Sequence, residues 1–395
     1  MTLCWVIIST TAYHNARMSA FCKHGGVAPH LLQWTDTDEF APLRLQNQPG
    51  EGYGTITLLP GRSIDAVSLS ERRRALDRAL CRVRPSVVCV NGWGMPGSRD
   101  VLAWCVARHV PAVLMSESTM RDASRSRWRE GVKRRLVRLC ASSLVGGTLH
   151  RDYIINLGMH AEKVFMGYDA VDNEHFRRGA YAARASANRL RRELQLPDHY
   201  FLACSRFTQK KNLLRLIEAY ARYQRRAIDG AWELVIVGEG PLKQEMVALC
   251  QRLHVVDKVL LVGGRSYTDL PVYYGLAEAF VHASTIEQWG LVVNEAMSAG
   301  LPVLVSSRCG CTPELVHEDR NGYTFDPYDI DGLAALFGRI SIDQGRRGEL
   351  GAASERIIGE WGPQRFAENL FQAASTALAT PLSRIKLADR LLLSC

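Results

Sequence analysis

Glu287 and Glu295 stand eight residues apart in STIEQWGLVVNEAMSAGLPVLVSS (284–307). The first lies in a polar turn before Trp289-Gly290, and the second interrupts an apolar helical run. A helix that starts near Gly290 offers the unsatisfied N–H groups of Leu291 and Val292 to an anion such as a phosphate. Gly290 lets that anion approach the backbone closely. Glu295 then lies about 7 Å further along the helix axis. A carboxylate there repels a phosphate but accepts hydroxyl hydrogen bonds from a ribose farther out. Glu287, on the near side, can accept the hydroxyls of a sugar. Two acids bracketing one anion site suit a sugar–diphosphate–nucleoside. The competing account is a solvated turn acid plus a helix acid favoured by the macrodipole.

A second cluster, SRFTQKKNLLRLIEAY (205–220), follows another apolar run. Arg206 at the strand end and Lys211 at the next helix start can converge on one anion, a planar fork beside a mobile point charge. Asn212 is placed to cap that helix. The alternative is a solvated basic loop. The loop GEGPL (238–242) reads equally as a phosphate-binding or an ordinary tight turn.

Positioning these groups takes a sizeable scaffold. The chain has 395 residues, 47% hydrophobic and 23% charged, which suits a globular protein of two domains. No window of eighteen apolar residues is present to span a bilayer. The start, MTLCWVIIST, lacks a basic region and reads as a first buried strand, not a signal peptide. Eleven scattered cysteines suit reduced thiols in a cytosol, and Cys309-Gly-Cys311 suits structural thiols over a metal site. A net charge of +9 invites an anionic partner.

Apolar runs alternate with helical stretches in both halves: WVIIST, SVVCVNG, AVLMSES and SSLVGG, then YFLACSR, WELVIVG, KVLLVGG, AFVHAS and PVLVSS. This pattern predicts α/β architecture, two doubly wound parallel sheets covered on both faces. The polar, basic stretch between the halves reads as a linker. The expected division is 1–175, a linker with the first helix of the second half at 176–195, then 196–360, then a terminal helix and tail at 361–395.

In order and spacing, Arg206-x4-Lys211-Asn212, VIVGEGPL, KVLLVGG and HASTIEQWGLVVNEAMSAGLPV resemble the family 4 (group 1) retaining glycosyltransferases, whose E-x7-E motif Glu287 and Glu295 match. The likeness covers residues 200–327 strongly and the rest more loosely. It implies a GT-B fold, two facing Rossmann-like domains with a C-terminal helix crossing back to the first. It also implies retaining transfer of a hexose from a nucleoside diphosphate sugar to a hydroxyl of a glycan or lipid-linked acceptor, as in cell-surface polysaccharide or glycolipid synthesis. By resemblance Arg206 and Lys211 hold the diphosphate, Glu295 the ribose and Glu287 the sugar. The Gly290, Leu291 and Val292 backbone meets the phosphates, and Gly263 and Arg265 lie near the base. No Asp-x-Asp metal site is seen, so no cofactor and no metal are expected.

The first half departs from the family, with no glycine in TTAYHNARMSAF (10–21). The resemblance places Glu117 where relatives carry an acceptor-side polar residue that supports catalysis. Asp122, Asn91 and His14 are further acceptor-side candidates. RSRWREGVKRRLVRL (125–139) carries seven Arg or Lys and one acid, with Trp128, Val132, Leu136 and Leu139 on one stripe. It reads either as a helix packed on the first domain or as an interfacial helix touching anionic lipid through Trp128, Lys133, Arg134, Arg135 and Arg138. A cytoplasmic protein, peripheral on the membrane's inner face, is then expected. The rival readings are a nucleotide-sugar epimerase or phosphorylase of the same fold, and a nucleic-acid binder. The last lacks any recognisable DNA- or RNA-binding signature.

Overall fold

The apolar runs become strands because most of them are buried on both faces, KVLLVGG (258–264) being only partly so. In the computed structural model, which describes residues 1–25, 28–37, 52–123, 125–227 and 230–394, thirteen strands form two parallel sheets. The chain divides into two units, residues 1–171 with 361–395, and residues 172–360.

In the first unit the strands are β1 (Leu3–Ile7), β2 (His30–Gln33), β3 (Gly54–Thr57), β4 (Val87–Asn91), β5 (Ala112–Ser116), β6 (Ser142–Val145) and β7 (Val164–Met166). They run in the order β3-β2-β1-β4-β5-β6-β7. On one face helix Ala12–Gly25 packs beside the C-terminal helix Pro363–Ala379, whose Phe366, Leu370, Ala373 and Ala377 join Trp5 and Phe21 in one core. Ser142 donates its hydroxyl to Ala373 O at 2.7 Å, fastening that helix to β6.

In the second unit the strands are β8 (Tyr200–Cys204), β9 (Glu233–Val237), β10 (Val259–Gly263), β11 (Ala279–His282), β12 (Val303–Ser306) and β13 (Gly322–Phe325), in the order β10-β9-β8-β11-β12-β13. Two parallel sheets with these orders are the Rossmann-like pair of the GT-B fold. The polar, basic span holds two helices, Asn173–Ala185 and Ala187–Leu194, within the second unit. Its charges lie outward while Phe176, Ala180 and Ala183 are buried. A Cβ on Gly275 would stand 2.7 Å from the Ala180 backbone, so glycine is what allows helix Leu270–Leu276 to lie this close. A polar outer face concealed an amphipathic helix.

Candidate functional site

In each sheet the strand order reverses once, between β1 and β4 and between β8 and β11. Loops leaving the carboxyl ends of strands at such a switch point diverge and open a crevice. In the second unit those loops are residues 205–212 and 283–290, and Thr285 N donates to Lys210 O at 2.8 Å to join them.

Lys211 ends a short 3₁₀ turn, and its ammonium pairs with Glu287 Oε2. The same oxygen accepts from Ser284 Oγ and faces His282 Nε2, both at 3.0 Å. His282 closes β11 and is 3% exposed. Burial alone raises the Glu287 carboxyl, but His282 and Lys211 outweigh it and hold the group well below the usual carboxylate range. Burial lowers His282, opposed by Glu287 and aided by Lys211, so the ring stays neutral at pH 7. A carboxylate only accepts, so Nε2 carries the proton toward it. The backbone of Glu287 is also fixed, accepting at 3.0 Å from Gly310 N beside the fully buried Cys309 and Cys311.

Gly290 takes φ 107 and starts helix Leu291–Ser298. Leu291 and Val292 in its first turn are partly exposed, and N–H groups of a first turn have no partner within the helix. Trp289 Nε1 donates to Asn294 Oδ1 at 2.9 Å and locks the approach to the turn.

Arg206 is exposed, on a segment held from beneath by the GEGPL loop. Phe207 N donates to Glu239 O at 2.7 Å. Gly238 has φ 140, and a Cβ there would stand 1.9 Å from Ser205 O, so this loop is a close backbone support for the Arg206 segment. Asn212 sits at the helix start with φ 58 but makes no side-chain cap bond. Its amide donates instead to Pro327 O at 2.8 Å.

Glu295 lies one helical turn past Gly290, as the spacing requires, yet it is 0% exposed and accepts from Tyr274 Oη at 2.7 Å. This departs from an open ribose acceptor. Gly263, with φ 81, ends β10, and Arg265 Nε donates to Tyr273 Oη at 2.5 Å. His282 and Ser284 read in the sequence only as the end of a strand, although a histidine closing a strand beside an acid turn is a usable signal.

In the first unit, Glu117 follows β5 and is partly exposed beside the buried Asp169. Asp122 spends both oxygens on Thr119, at 2.7 Å from N and 2.6 Å from Oγ1, so it shapes the loop. Asn91 Oδ1 accepts from Trp5 Nε1 at 2.7 Å. His14 Nδ1 accepts from Thr11 N at 3.2 Å, and burial followed by Arg17 lowers the ring to about 3.

The basic stretch forms helix Arg127–Arg138, and its stripe divides. Leu136 and Leu139 are buried, whereas Trp128 is 77% exposed. Arg135 and Arg138 pair with the fully buried Asp389 of helix Leu387–Ser394, at 3.1 and 2.6 Å. Lys133 pairs with Glu130 at 2.9 Å. Three of the five groups expected at a lipid surface are thus engaged within the unit, leaving Trp128 and Arg134 outward.

Residues 187–356 match the model of the family described as Glycosyl transferases group 1. A GDP-mannose-dependent alpha-(1-6)-phosphatidylinositol monomannoside mannosyltransferase of Mycobacterium tuberculosis is 32% identical over 209 residues, 51% of this chain and 52% of that protein. An N-acetylgalactosamine-N,N'-diacetylbacillosaminyl-diphospho-undecaprenol 4-alpha-N-acetylgalactosaminyltransferase of Campylobacter jejuni is 30% identical over 187 residues, 47% of this chain and 46% of that protein. The chain spans about half the length of these curated relatives. Among solved structures, Anabaena HepE in complex with UDP aligns with TM-score 0.73 at 17% identity, covering 95% of this chain and 100% of that one. A sucrose-phosphate synthase of Thermosynechococcus elongatus aligns with TM-score 0.69 at 20% identity, covering 94% and 98%. These likenesses show the fold.

Proposed function

We propose that this chain, whose residues 187–356 belong to the group 1 glycosyltransferases, moves a hexose from a nucleoside diphosphate sugar to a hydroxyl of a glycan or lipid-linked acceptor, with retention. The observation that carries the reading is the Lys211–Glu287–His282 cluster beside the helix start at Gly290, at the switch point of the second sheet. When the glycosidic bond breaks, negative charge grows on the departing diphosphate. Lys211, Arg206 and the Leu291 and Val292 N–H groups meet that charge and stabilise the transition state more than the ground state. Glu287, fixed by three donors, accepts hydroxyls of the sugar. Glu295 holds the ribose, and Gly263 and Arg265 border the base. Attack from the face of departure needs no protein nucleophile, and the leaving phosphate takes the acceptor proton. No metal is required by this chemistry.

The relatives' names support the acceptor class, since one acts on a phosphatidylinositol mannoside and another on a diphospho-undecaprenol. Incubating the chain with a panel of nucleotide sugars and membrane lipid extract should give a new glycoside with the donor's anomeric configuration, by mass spectrometry and NMR. A free sugar nucleotide of altered stereochemistry would make it an epimerase, and sugar phosphate released from a glycoside a phosphorylase.

A lipid acceptor places the protein on an anionic membrane surface, at the cytoplasmic face. No helix among the described residues is long and apolar enough to cross a membrane. Trp128, with Arg127, Arg129 and Arg134 exposed around it, is suited to an interfacial contact. Each basic residue near such a surface contributes about 1 kcal/mol. Changing Arg127, Arg129 and Arg134 to Glu should abolish flotation with phosphatidylglycerol vesicles while leaving the Asp389 pairs intact. Unchanged flotation would remove this surface.

A further inference from the structure

One amphipathic element of the first unit takes no part in the donor-side chemistry. Helix Leu387–Ser394 buries Asp389 and Leu393, 0% and 4% exposed, and turns out Leu387 and Leu391, 75% and 61% exposed. Residues two apart on a helix point about 200° apart, so the two leucines share the face opposite the buried pair.

This helix has a specific seat. Arg135 and Arg138 both bond the Asp389 carboxylate. Arg73 Nη2 donates to Leu393 O at 2.7 Å, and Ser383 Oγ donates to Arg138 O at 2.8 Å. Turning the helix over would cover the leucines but strip a buried carboxylate of both arginines, so the ion pairs hold the apolar face outward. Trp128 stands seven residues before Arg135, on the same face of its helix and about 10 Å along the axis. Three exposed apolar side chains thus belong to one pair of joined helices.

The exposed charge of these two segments has a single sign. Arg127, Arg129, Arg134, Arg384, Lys386 and Arg390 are exposed, and among the described residues none of them pairs with an acid. The acids of the two segments are spent inward, Glu130 on Lys133 and Asp389 on Arg135 and Arg138. A second copy docked here by a two-fold axis would set six cations against six. An anionic bilayer opposes all six with negative charge and takes up the apolar groups at its interface.

We propose that helix Leu387–Ser394 is a second membrane contact: Leu387 and Leu391 enter the interface of an anionic bilayer, and the Asp389 pairs fix this helix to the one that carries Trp128. The inference rests on the Trp128 surface of the proposed function and extends it from one helix to two.

The test floats the full chain with vesicles of phosphatidylglycerol and phosphatidylcholine, and with phosphatidylcholine alone. Changing Leu387→Gln and Leu391→Gln together should weaken binding to the anionic vesicles by about ten-fold or more, because two apolar side chains then stay in water. The melting temperature should shift by no more than about 1 °C, since both side chains are exposed in the free protein. Leu387→Phe with Leu391→Phe should bind at least as well as the wild type. Glutamine and wild-type chains that float alike would overturn the inference. If the changes at Arg127, Arg129 and Arg134 still abolish flotation in that case, the Trp128 surface stands without this helix. A wild type that floats with neither vesicle would end both readings. A wild-type dimer that the glutamine pair makes monomeric, with flotation unchanged, would give this face to a second copy and overturn the inference as well.

Discussion

Replacing Lys211 with alanine should lower turnover by about 10²- to 10³-fold while the protein stays folded. The magnitude is that of removing one preorganised group aimed at developing charge in a water-poor site. Lys211 and Glu287 side chains are only 13% and 14% exposed, so their charges are weakly screened. The fold survives because Glu287 keeps Ser284 and His282 at 3.0 Å when the ammonium is gone. The carboxyl then loses one of the groups that hold it below its usual range, and its contribution to stability, present above about pH 4, is lost earlier as the pH falls. Turnover of a sugar donor by the purified variant, with its circular dichroism unchanged, checks the prediction. Full activity would take Lys211 out of the diphosphate clamp. Lys211→Arg should recover part of the loss, since a fork replaces a point charge without matching its reach.

The second large effect is at Glu295. Glu295→Ala should weaken nucleotide-sugar affinity at least ten-fold by calorimetry and destabilise the second unit by about 2–4 kcal/mol. Both Glu295 and Tyr274 are fully buried, so the alanine leaves a void and takes away the acceptor of the Tyr274 hydroxyl. Glu295→Gln keeps the volume and an acceptor oxygen, so its melting point should stay near that of the wild type. Its affinity should still fall, because the neutral amide is a weaker acceptor for ribose hydroxyls. Equal affinity in wild type and Glu295→Ala would end the ribose role.

The sheets were legible because parallel strands buried on both faces are written as uninterrupted apolar runs. The loop carrying Glu287 was legible for a related reason: a polar turn between a buried strand and a buried helix is conspicuous. What stayed hidden depends on partners distant in sequence. His282 reads as the polar end of a strand until Glu287 folds back onto it. Arg17 and Asp169 are 152 residues apart, and a helix's own sequence does not name the distant acid that comes to face its arginine. Arg135 and Arg138 looked available to lipid because Asp389, which binds both, lies in a tail whose own pattern is short and weak. Glu295 was placed on the correct turn by spacing alone, but spacing says nothing of Tyr274 above it. The helix expected within 176–195 is present, and helix Asn173–Ala185 before it buries Phe176, Ala180 and Ala183, an inner face that composition does not record.

Asn173 donates its side-chain amide to Ile358 O at 2.8 Å, so the stretches where the chain joins and leaves the 172–360 unit lie side by side. Because that unit is uninterrupted, it behaves as a cassette inserted between two parts of its host. With both junctions in neighbouring backbone, replacing residues 172–360 by a segment with the same end-to-end spacing would leave the first unit's sheet and terminal helix continuous in sequence.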